Sequence, residues 1–230
     1  MGGFTTNATI KSFGGRFLKL SHRAFQTRST QNFTLFILPG ASVEKPAPLL
    51  IYLLDLTCSL DDVTEKGFLH AYAALLGLAL LYLDTLPRGL NLLGEHDAGD
   101  FGSRASYVPC IYRRPLDGWL RCTYFVSEVA GKAFEGYLGE DREVWKKHDA
   151  TELVKSWKGG SLNCLIDVGT DDNFYKQGQL LPENFETAVK ETDLEGLELR
   201  YQDGYDHSYF FISTFGADHV KHAAKALGLF

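Results

Sequence analysis

Two segments near the C-terminal end carry residue types suited to acid–base chemistry. Asp167-Val168-Gly169-Thr170-Asp171-Asp172 closes one apolar run, and Gly204-Tyr205-Asp206-His207-Ser208 closes the next. A carboxylate on one strand-end loop and a histidine on the following one is the order in which Ser…Asp…His hydrolases arrange the last two members of the triad. The histidine would take a proton from a hydroxyl, and the carboxylate would hold the imidazole in the right tautomer. The hydroxyl should come earlier, inside G-x-S-x-G on a tight strand-to-helix turn. No serine occupies that motif. Ser42 and Ser161 have a glycine two residues before but Glu44 and Asn163 two after, and Ser12 has only the glycine after. His207 also reads as a hydrogen-bonded surface histidine. Asp171 and Asp172 are rivals for the acid, and both suit a helix cap.

Elements that could position these residues follow from periodicity. Arg16–His22 and Asn32–Leu38 alternate apolar and polar residues, the pattern of half-exposed antiparallel strands. Residues 48–54 and Leu78–Leu83 are nearly continuous apolar runs, as in strands covered on both faces. Between them Ser59-x-x-Asp62 opens a helix expected to run to about Gly77, with Phe68, Tyr72, Leu75 and Leu76 as its buried stripe. Strand–helix–strand with covered strands predicts a parallel crossover. Residues 88–131 carry no clear period, and 135–156 read as polar and partly helical. Leu162–Asp167 and Leu197–Gln202 then read as strands, with helices over Pro182–Thr192 and Phe211–Leu227.

Composition excludes several classes. The chain has 230 residues, 45% of them apolar, enough for one substantial core. A formal net charge of −6 argues against a nucleic-acid partner, which needs clustered Lys and Arg. The apolar run from Ala71 to Leu83 is too short to span a membrane, and the N-terminus lacks a charged-then-apolar export pattern. Cys58, Cys110, Cys122 and Cys164 show no CxxC spacing, so no metal site is expected and free thiols in a reducing cytosol are the simplest account. Asp218, His219 and His222 share a face of the last helix and read as solvated polar surface.

Further motifs extend the pattern along the chain. They are Ser12-Phe13-Gly14-Gly15, Leu56-Thr57-Cys58, Asp84-Thr85-x-Pro87-Arg88-Gly89 and Asp100-Phe101-Gly102. Lys132-Ala133-Phe134-x-Gly136-Tyr137-Leu138-Gly139, Asp149-Ala150-Thr151 and Gly178-Gln179-Leu180-Leu181-Pro182-x-Asn184-Phe185 follow, and the series ends in Gly204-Tyr205-Asp206-His207-Ser208-Tyr209-x-Phe211. Together they resemble the S-formylglutathione hydrolase (esterase D) family of α/β-hydrolases over most of the chain.

The resemblance implies an α/β fold: a mostly parallel sheet with helices on both faces and antiparallel N-terminal strands, in one domain spanning residues 1–230. It implies hydrolysis of the thioester S-formylglutathione to glutathione and formate in formaldehyde detoxification, with simple esters as side substrates. It also implies a cytoplasmic location and no cofactor, and it leaves a homodimer open. Asp172 takes the family's triad carboxylate and His207 its base, and Leu56 would supply an oxyanion-hole N–H.

Two departures stand out. Asp55 replaces a family glycine beside that oxyanion loop, where a carboxylate opposes the developing charge. The family's elbow segment, G-H-S-x-G-G, would fall between Glu128-Val129 and Gly131-Lys132, where the two flanks are fused. Roughly fifty residues are missing there, the size of a central strand, elbow, helix and following strand. The nucleophile is therefore expected to be absent. Three outcomes stay open: an impaired hydrolase, a pseudoenzyme that binds glutathione conjugates or a family partner, and an exon-skipped product.

Overall fold

The computed structural model describes residues 3–23, 30–53, 58–84, 135 and 138–230. They divide into two compact units, Met1–Tyr107 with Ile212–Phe230, and Val108–Phe211.

The first unit is built on a mixed sheet. Strands β1 (Thr5–Ser12), β2 (Gly15–Arg23) and β3 (Thr30–Ile37) form an antiparallel meander. Strand β4 (Leu49–Leu53) leads through helices α1 (Leu60–Lys66) and α2 (Leu69–Leu76) to β5 (Ala79–Leu83). The sheet order is β1-β2-β3-β5-β4, with β4 and β5 parallel as the crossover pattern predicts. Strand β1 was not legible: only one of its residues apart from its last is even partly buried, so no apolar alternation marks it. Phe17, Phe36, Leu80 and Tyr82 form the core of this sheet.

The single helix expected from Ser59 to Gly77 is two helices. Ser59 and Asp62 do form the capping box, with Asp62 N donating to Ser59 Oγ (3.3 Å) and Ser59 N to Asp62 Oδ2 (3.0 Å). The chain then breaks at Gly67 and Phe68, the latter left-handed at φ 53°. That break resets the helical phase. Leu69, His70 and Ala73 point inward, while Phe68 (50% exposed) and Leu75 (83%) do not form the expected stripe. Strand β4 also differs from its reading as a fully covered strand. Among the described strands it pairs on one side only, and Leu49 is exposed.

The second unit contains the short helices α3 (Arg142–Trp145) and α4 (Ala150–Val154), then β6 (Cys164–Gly169), α5 (Asn173–Lys176), α6 (Pro182–Lys190) and β7 (Leu197–Gln202). Strands β6 and β7 are parallel, in register from Cys164↔Leu197 to Gly169↔Gln202. Helix α6 buries Phe185, Ala188 and Val189 against Val154, Ile166 and Leu197, the i, i+3, i+4 spacing of an amphipathic helix. Helix α7 (Tyr209–Ala226) ends the chain's regular structure, with Val220 and Ala224 buried. Among the described residues no helix is long and apolar enough to cross a membrane.

Candidate active site

Strands β6 and β7 end at the same level, and their loops are laced together beyond the last ladder rung. Thr170 N donates to Gln202 O (3.0 Å), Asp171 N to Tyr205 O (2.8 Å), and Gly204 N to Thr170 Oγ1 (2.9 Å). Gly169 makes this approach feasible: a Cβ there would lie 2.3 Å from Tyr205 O. The carboxyl ends of parallel strands are where α/β sheets place their sites, because the loops leave the sheet together there.

Asp172 follows directly. It is 4% exposed and caps α5. Its Oδ1 accepts from Phe174 N (2.7 Å) and Tyr175 N (3.4 Å), and its Oδ2 lies 2.7 Å from His207 Nδ1. The helix cap and the contact to His207 use the two oxygens of one carboxylate, so the two readings of Asp172 in the sequence do not compete for the same atom. Asp171 is instead at the surface, paired with Lys176 at 2.6 Å with both side chains about half exposed.

The His207 side chain is 47% exposed, and the Phe174 ring meets it edge-on with centroids 5.0 Å apart. With Oδ1 already accepting backbone N–H groups, Asp172 is placed to accept a proton shared with Nδ1. That tautomer leaves the lone pair on Nε2, the arrangement of a general base. Cys164, on β6 below, is no substitute nucleophile: burial pushes its thiol up to about 11, so it stays protonated.

Leu56 lies outside the described residues, as do Asp55 and the Val129–Lys132 junction. Among the described residues no cluster of His, Cys, Asp or Glu is arranged to hold a metal ion. Sequence reasoning missed Gly169, Thr170 and Phe174 as parts of this site. Their roles follow from contacts between two loops far apart in the chain, and residue type alone gives no signal for them.

The chain matches the Esterase family profile over residues 92–222. It is 36% identical to the S-formylglutathione hydrolase of Bos taurus over 276 residues, covering 96% of this chain and 97% of that protein. It is 30% identical to the S-formylglutathione hydrolase of Arabidopsis thaliana over 283 residues, covering 99% of each. Its structure is similar to that of an S-formylglutathione hydrolase from Agrobacterium tumefaciens, with a TM-score of 0.79 at 28% identity, covering 96% of this chain and 99% of that one. The bovine alignment runs over 276 positions, yet this chain has 230 residues, so part of the relative has no counterpart here. The chain belongs to the S-formylglutathione hydrolase family, esterases of the α/β-hydrolase fold.

Proposed function

We propose that the chain is an S-formylglutathione hydrolase-type thioesterase that retains the base and its orienting acid but lacks the serine they served. The substrate class is a glutathione thioester, taken from the family. His207 is the base, Asp172 holds it, and Leu56 is the surviving oxyanion donor. The observation that carries this reading is the 2.7 Å contact between His207 Nδ1 and Asp172 Oδ2 in a chain without a G-x-S-x-G serine.

The energetic consequence is large. Removing the nucleophile from a serine hydrolase lowers turnover by about a million-fold. The second oxyanion N–H normally comes from the residue after that serine, so it is lost as well. The longer relatives, with residues that this chain lacks, support a lost segment over gradual drift.

The test is S-formylglutathione hydrolysis by purified protein, with intact-mass analysis after exposure to a fluorophosphonate. The expected result is no covalent adduct and a turnover about a million-fold below that of an intact serine hydrolase. An adduct, or family-level turnover abolished by His207→Ala, would overturn the reading. Sequencing the transcript across Val129–Lys132 tells a lost segment from a spliced one.

A further inference from the structure

Asp167 lies on β6 with its side chain only 2% exposed. Three donors converge on it from β7. Arg200 Nε reaches Oδ1 (2.8 Å), Arg200 Nη2 reaches Oδ2 (2.6 Å), and Gln202 Nε2 reaches Oδ1 (2.6 Å). Asp167 and Arg200 face each other directly in the strand register. A buried ion pair adds little net stability, because desolvation offsets the attraction. What a bidentate fork provides is geometry: it fits one register and rejects a one-residue slip, which would turn each side chain to the opposite face.

We propose that Asp167, Arg200 and Gln202 are positioning residues for the His207–Asp172 pair. They fix β6 against β7 within the last three rungs of the ladder, just before the two functional loops. From there the lacing through Thr170, Asp171 and Gly204 leaves little play between the buried cluster and the 2.7 Å contact. The inference rests on reading His207 and Asp172 as the acid–base pair, and the experiment separates the two claims.

The readout is the tautomer of His207 in the full-length chain, from imidazole 15N shifts at alkaline pH, where the ring is neutral. A purely structural cluster would change melting temperature and leave the tautomer alone. In the unaltered chain the Nδ1–H form is expected to dominate. Asp172→Asn, which can keep the helix cap, should reverse it by turning an N–H toward the ring. If it does not, the pair itself is misread.

Arg200→Lys keeps the charge and removes the fork. It should lower the Nδ1–H to Nε2–H ratio about tenfold, equivalent to losing one ordinary hydrogen bond. Gln202→Met removes one donor from Asp167, leaves both charges, and should lower the ratio by a smaller factor. If Asp172→Asn moves the tautomer while Arg200→Lys and Gln202→Met leave it unchanged, the positioning role is overturned. Should Arg200→Lys fail to fold, Gln202→Met decides alone by the same criterion.

Discussion

Asp172 serves two masters, and substitution can separate them. Asp172→Asn keeps an oxygen for the α5 cap and loses the ionised partner of His207, whereas Asp172→Ala loses both. The alanine variant should be less stable than the asparagine variant by about 1 kcal/mol, the typical value of an N-cap, as read by chemical denaturation. Equal stabilities would mean the cap contributes nothing.

His70 makes a second prediction at this scale. It is 4% exposed, its Nδ1 has no hydrogen-bond partner among the described residues, and the rings of Phe13, Phe17, Phe36 and Phe68 lie 4.7–6.2 Å from its own. Burial lowers its pKa from the ordinary value. The unfolded chain therefore binds a proton that the folded chain resists. The stabilisation is complete above an unfolded value of about 6.5 and is lost as pH falls from there toward the lowered folded value, with a slope of at most about 1.4 kcal/mol per unit. Denaturation at a series of pH values, with His70→Phe as control, should show a slope in that window that the variant lacks.

At the scale of elements, local signals were read correctly where they were strong. The Ser59–Asp62 box, the covered strand β5 and the helix expected over Pro182–Thr192, found as α6, all follow from spacing within a few residues. The helix break at Gly67–Phe68 did not, because a left-handed phenylalanine is no part of a propensity pattern. Asp172 and His207 were legible as chemistry-bearing residues beside family motifs. The choice of Asp172 over Asp171 needed that resemblance, and the Asp167–Arg200 fork needed a register that sequence does not print. Gly77 tests the element boundary. It ends α2 at φ +81°, and a Cβ there would meet nothing within 4 Å. Gly77→Ala should therefore cost about 1 kcal/mol from backbone strain alone, measured by thermal unfolding. A neutral effect would mean that the turn relaxes.

At the scale of the whole molecule, the chain is an α/β-hydrolase-family protein shorter than the relatives it matches. Inserting a family strand–elbow–helix segment between Val129 and Gly131 should supply the serine that the proposed His207–Asp172 pair would serve. Burst kinetics on a chromogenic ester and a fluorophosphonate adduct on the new serine are the expected results. An inserted chain that folds cooperatively yet shows neither would mean that the remaining site is not competent, with Asp55 the first residue to replace by glycine.

The double duty of Asp172 also bears on how this chain can change over generations. One of its oxygens fastens a turn, so selection for folding alone will keep an acid, an amide or a hydroxyl at that position. The His207 side chain is about half in solvent. A library screened only for soluble expression should therefore confine position 172 to such cap-forming side chains, an imprint of scaffolding where one would look for an imprint of catalysis.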